Sequence, residues 1–152
     1  MTAIKIGKLA TAEIIAAVAA VLCENPHLPA ILDPVMASTS GRTLLEAGAI
    51  AAIRRDLLPL CRLVIPTLIE LALLSAKQAV DDDGAIRQGR ELLAAGARAL
   101  LIEVAMHREP NRPIFLLRSD HEPTTSTHRA LPHQCAGRTA CWPARLRRIW
   151  RK

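Results

Sequence analysis

The sequence predicts an α/β fold built on an open, mostly parallel sheet with flanking helices. Short apolar runs alternate with longer segments of helical spacing, the turns between them are short, and polar residues gather where the runs end. "AIKIG", from Ala3, reads as a strand, and "TAEIIAAVAAVLCEN" reads as a helix with the Thr11 hydroxyl at its start. "LPAILDPVM" is almost continuously apolar up to Asp33 and Pro34, as suits a parallel strand buried on both faces. After "ASTSGR", Thr43 and Glu46 have capping-box spacing at the head of the helix "TLLEAGAIAAIRRDLL", which Pro59 closes. "CRLVIP" is a third strand and "TLIELALLS" a short helix; Asp81 to Asp83 place negative charge at the start of a helix running to about Gly96. "ARALLIE" is the fourth strand. Right-handed crossovers then put ligands beyond the carboxyl ends of the strands, where Asp33 and the loop after Pro66 fall.

Composition divides the chain. With 152 residues, 51% of them hydrophobic, it is long enough for one ordinary domain and too apolar for global disorder. Through Ile102 the basic and acidic side chains balance, ten against ten, so the later residues supply the whole net charge of +6. All the aromatics, Phe115, Trp142 and Trp150, also follow residue 102. Cys23, Cys61, Cys135 and Cys141 show no CxxC and no regular spacing, which predicts a reducing, cytoplasmic protein with free thiols, Cys23 and Cys61 being inert in the core. Charge or proline breaks every apolar run well short of about 18 residues, so no membrane partner is expected.

The stretch "LDPVMASTSGRTLLEAGAIAAIRRDLLPLCRLVIPTLIELALL" resembles the hydroxymethylpyrimidine and phosphomethylpyrimidine kinases of thiamine biosynthesis, which have the ribokinase-like fold. The family pattern is LDPVM, a few residues, SG, LL, then LLPL and TPN with a Glu three residues on; "IKIGKL" is similar to its IKIGML segment. The resemblance covers about residues 3 to 102 and implies transfer of the ATP γ-phosphoryl group to a pyrimidine hydroxymethyl, then to the phosphate installed there. It places Asp33 near Mg²⁺ and the phosphates, Thr67 at the family's Asn, and Glu70 as the glutamate that holds the metal through its water shell. Taken singly, Asp33 would also serve as a loop hydrogen-bonding residue and Glu70 as an early-helix carboxylate facing the dipole. Lys8 replaces a methionine beside the family's pyrimidine pocket, where a charge would need a partner. The family's opening glycine-rich segment has no counterpart before "IKIG", so the expectation is an incomplete copy with an open sheet edge and uncovered helix faces.

After "ALLI" the family continues as KGGH, a variable hairpin, and a glycine-rich RGTGC opening a helix. That turn is the family's anion hole and carries its catalytic Cys. Here "EVAMHREPNRPIFLLRSDHEP" follows instead. Codons begun at the third base of the present ones, however, permit G-G-H from Glu103 to Met106, with Ala forced by Met106 and His107. From Cys135 onward they permit RGTxCxLASAIAA, with Leu forced by Cys141 and Trp142 and Ala by Trp142 and Pro143; glycine is not permitted at the x of RGTxC. A frameshift near codon 102 or 103 accounts for both. The expected organisation is therefore a partial kinase domain over 1–102 and an out-of-frame, disordered basic tail over 103–152.

On this reading the chain is inactive as it stands. His121, His128, His133, Cys135 and Cys141 match no standard zinc spacing. "RLRRIWRK" gives non-specific nucleic-acid binding that salt removes. The alternative is a non-catalytic α/β binding protein whose basic tail engages nucleic acid.

Overall fold

In the computed structural model, which describes residues 3–36, 44–46, 48–78, 81–103, 111–119 and 121–129, six strands form one sheet in sequential order. These are β1 (Ile4–Ile6), β2 (Ala30–Leu32), β3 (Leu63–Val64), β4 (Ala99–Glu103), β5 (Asn111–Arg118) and β6 (His121–Arg129). β1 to β4 run parallel, with Ile4 to Ile6 opposite Ala30 to Leu32, Leu32 opposite Val64, and Val64 opposite Leu100. β5 and β6 are antiparallel, Ile102 lying opposite Phe115 and Leu100 opposite Leu117. The helices are α1 (Ala12–Glu24), α2 (Ala49–Ala52), α3 (Leu68–Ser75) and α4 (Asp82–Ala94), and α2 runs on as a π-helical turn, Ile53–Leu57.

Sequential strand order with a single crossover hand sends every connecting helix to the same face of the sheet. The main core is accordingly one-sided. Ile15, Leu22, Ile53, Leu57, Leu71, Leu74 and Leu92 from the helical side close on Ile6, Leu32, Val64, Leu100 and Ile102 from the strands. The opposite face holds a smaller cluster of Leu63, Ile65 and Leu101, with Ile31, Ala99, Ile114 and Leu116 packed against it. Caps fix the helix starts: the Thr11 hydroxyl accepts from the Ile14 N–H at 3.3 Å, and the Asp81 carboxylate from the Gly84 N–H at 2.6 Å. Among the described residues no helix is long and apolar enough to cross a membrane.

Four expectations meet a different arrangement. The helix expected from Thr43 begins at Ala49; Thr43 lies outside the described residues, and Glu46 precedes the helix. Here Leu44 N–H donates to the Met36 carbonyl and Glu46 N–H to the Ala10 carbonyl, so the donor a Thr43 capping box would use serves loop closure instead. Gly48, at φ 85°, then makes the left-handed turn into α2. Cys23 is exposed on α1 while Cys61 is buried, so only the second is a core thiol. Lys8 is exposed, and hydration takes the place of the partner a buried charge would need.

The fourth concerns the segment expected to be a disordered tail, in which Asn111–Arg118 and His121–Arg129 form β5 and β6. Phe115 and Leu117 belong to the main core, at 3% and 1% exposure. The reason is an edge: without β5, the far side of β4 would leave its row of backbone groups unpaired, and the apolar run "PIFLL" supplies a strand for it. Residues 104–110, 120 and 130–152 of that segment lie outside the described residues.

Candidate functional site at the carboxyl ends of the strands

Asp33 immediately follows β2. Its N–H extends the ladder by donating to the Ile6 carbonyl at 2.8 Å, which holds the residue at the sheet's carboxyl edge. The residue is 8% exposed, and its Oδ2 accepts from Lys5 Nζ at 3.0 Å. Lys5 faces Ile31 across the β1–β2 register, and period-two alternation puts the side chains of residues 31 and 33 on one face, which explains the reach.

One strand over, Ile65 N–H donates to the Leu32 carbonyl and the chain turns through Pro66 into α3. Thr67 is the N-cap of that helix, and the capping box is complete. The Thr67 N–H and hydroxyl each donate to Glu70 Oε2 at 2.8 Å, and the Glu70 N–H donates back to Thr67 Oγ1 at 3.4 Å. Glu70 is 2% exposed. Glu103, the last residue of β4, bridges to Thr67 and donates its N–H to the Pro66 carbonyl at 3.0 Å.

Asp33, Thr67 and Glu70 therefore stand at the carboxyl ends of the neighbouring strands β2 and β3, on the edge where open α/β sheets bind ligands. Lys5 and Glu103 join them there without having been picked out as site residues. A lone cation in the apolar run "AIKI" was the visible signal for Lys5; the end of the fourth strand was the signal for Glu103. Among the described residues no three His, Cys, Asp or Glu side chains converge as a metal-holding group. Asp33 Oδ2 is engaged by an ammonium and Glu70 Oε2 by two hydrogen-bond donors.

Comparison with known proteins agrees with this architecture. The sequence profile of the phosphomethylpyrimidine kinase family matches residues 1–142. The hydroxymethylpyrimidine/phosphomethylpyrimidine kinase of Rhizobium meliloti (strain 1021) is 39% identical over 102 residues, which are 66% of this chain and 38% of that protein. Its counterpart in Escherichia coli (strain K12) is 36% identical over 138 residues, 90% of this chain and 52% of that one. The chain thus spans about half or less of the length of these relatives. A crystal structure of phosphomethylpyrimidine kinase from Clostridium difficile 630 superposes with a TM-score of 0.71 at 25% identity, covering 84% of this chain and 54% of that one. The pyridoxal kinase of Staphylococcus aureus in complex with AMP-PCP shares the fold, with a TM-score of 0.73 at 23% identity over 84% of this chain and 46% of the other. The sheet is that of the ribokinase-like kinases, and this chain belongs to the phosphomethylpyrimidine kinase family.

Proposed function

We propose that the chain derives from a thiamine-biosynthesis kinase that moves the γ-phosphoryl group of ATP to hydroxymethylpyrimidine and then to its monophosphate, and that Asp33, Thr67 and Glu70 face the phosphates. The observation that carries this reading is the placement of an LDP aspartate after β2 and a Pro-Thr-x-x-Glu turn after β3 on adjacent strands of one carboxyl edge. The kinase names of the relatives support it, as does the ATP analogue named with the Staphylococcus aureus pyridoxal kinase.

Phosphoryl transfer leaves a protein little covalent work, so its contribution is positioning and charge neutralisation. Asp33 and Glu70 would hold Mg²⁺ by accepting hydrogen bonds from its coordinated waters; when bound, the ion spreads the charge on the transferring phosphoryl oxygens. The Thr67 hydroxyl, already donating to Glu70, keeps that carboxylate in one rotamer. Neither carboxylate needs to abstract a proton in this arrangement.

The chain as translated is inactive on our reading. Downstream of Ile102 its sequence contains no RGTGC turn, and we attribute this to a change of reading frame near codon 102 or 103. The nucleotide sequence tests the attribution: an overlapping frame that fails to encode GGH and RGTxC without a stop codon ends it. The functional reading is tested with the purified chain, ATP, Mg²⁺ and hydroxymethylpyrimidine. Measurable Mg·ATP binding, weakened by Asp33→Asn and by Glu70→Gln, is expected without product formation. Turnover overturns the claim of inactivity. Salt-resistant, sequence-selective nucleic-acid binding in place of ATP binding would favour the alternative of a non-catalytic binding protein.

A further inference from the structure

Lys5 is a cation in the middle of a strand whose other members, Ile4 and Ile6, are apolar, and its register neighbour Ile31 belongs to an apolar patch with Leu63 and Ile65. Its Nζ donates at 3.0 Å to Oδ2 of Asp33, the residue that follows β2. The pair is unequally exposed: the Asp33 side chain retains 11% of its accessible surface and the Lys5 side chain 43%. An ammonium carries three N–H donors, and the hydrogen bond to Asp33 uses one. Among the described residues no second acceptor meets the remaining two, and 43% of the side chain is exposed. The carboxylates named at this edge, Asp33, Glu70 and Glu103, would by themselves repel a polyphosphate.

The geometry points to Lys5 as a phosphate-binding residue, aimed by Asp33. Beside the role proposed above, Asp33 then positions Lys5: its Oδ2 restrains a flexible four-carbon side chain so that the ammonium meets an anionic oxygen with less entropy to lose. The ligand class is a polyphosphate, and the assignment of that polyphosphate to a nucleotide rests on the kinase reading above. The interaction is a charge-assisted hydrogen bond and requires no bond-making step.

The test uses the full chain at about 0.15 M salt, where long-range attraction by the basic chain is screened. Titration calorimetry with inorganic tripolyphosphate and, separately, with ATP compares the wild type with Lys5→Gln, Lys5→Arg and Lys77→Gln. The last removes an equal charge at an exposed position paired with Glu91. Lys5→Gln is expected to weaken both ligands about tenfold, Lys5→Arg to keep most of the affinity, and Lys77→Gln to leave it within about twofold. Lys5→Arg retains the ion pair, so a merely structural loss in Lys5→Gln is recognised by its melting curve.

Wild-type affinity in a folded Lys5→Gln variant overturns the Lys5 assignment while the kinase reading stands. Tripolyphosphate binding without ATP binding, still lost in Lys5→Gln, overturns the nucleotide reading while the phosphate site stands. Equal losses in Lys5→Gln and Lys77→Gln mean net charge alone, and binding of neither ligand by the wild type means no site; both overturn the assignment.

Discussion

Glu70 has two jobs that one substitution series can separate. Its Oε2 accepts from the Thr67 N–H, the side-chain half of the capping box, and from the Thr67 hydroxyl, and the same carboxylate is proposed to face the nucleotide phosphates. Glu70→Gln keeps an acceptor at the cap and removes the charge, whereas Glu70→Ala removes both. The alanine variant should lose about 1 kcal/mol of stability and the glutamine variant less, while Mg·ATP affinity falls in both; melting curves and titrations together give the split. Two of the four cysteines, Cys23 and Cys61, differ as sharply. Burial pushes the Cys61 thiol from 9.0 up to about 12, and Cys23 is exposed. Alkylation at pH 8 mapped by mass spectrometry should therefore mark Cys23 and spare Cys61 until the protein unfolds. The unfolded chain releases the Cys61 proton above pH 9 while the folded chain retains it, so stability is full below pH 9 and declines as pH rises towards 12, by at most about 1.4 kcal/mol per unit. Cys61→Ala should flatten that decline in a pH series of denaturant melts. At this scale the Thr67–Glu70 spacing was legible, because a cap is local. The Lys5–Asp33 pair was not: it joins residues 28 apart through a strand register that periodicity does not encode.

The same division holds among elements. α1, α3 and α4 start within a residue or two of their expected positions because Thr11, Thr67 and Asp81 supply local side-chain acceptors. α2 starts later than its sequence pattern suggests because backbone bonds from Leu44 and Glu46 serve tertiary closure. The hairpin was illegible as an element, since its charge and composition matched the tail beyond it. Its contact with α4 is nevertheless close. A Cβ built on Gly89 would collide with Leu117 Cδ1 and lie 2.9 Å from Ile102 Cδ1, and both of those side chains are buried. Gly89→Ala should consequently destabilise the protein by about 1–3 kcal/mol despite alanine's better helix propensity, because two buried side chains must shift to admit the methyl. Leu117→Ala alone should also destabilise it, but in the Gly89→Ala background the two losses should partly cancel. A double-mutant cycle by chemical denaturation reads the coupling. Strict additivity would mean that β5 does not pack on α4.

At the scale of the molecule, composition and sheet disagree about where the folded unit ends. Charge balance changes at residue 102, yet the family profile matches residues 1–142, the sheet continues through β5, and Phe115 and Leu117 sit in the same core as α4 and β4. A strand needs little sequence specificity to join an open edge: backbone pairing is generic, and alternation places every second apolar side chain on the core face. A segment read in a changed frame can therefore still pack, and its origin and its contribution to stability are separate questions. Ending the chain after Glu103 tests the second. It removes β5 and β6, leaves β4 as an unpaired edge, and uncovers Ile102 and the groove at Gly89. Burial of a large apolar side chain is worth about 1.5–3 kcal/mol, so losing Phe115 and Leu117 together is comparable with the whole stability of a small domain. The shortened chain should lose cooperative thermal unfolding by circular dichroism and bind a hydrophobic dye that the full chain excludes. An unchanged melting temperature would return the boundary to residue 102 and make the hairpin a passive addition to a fold complete without it.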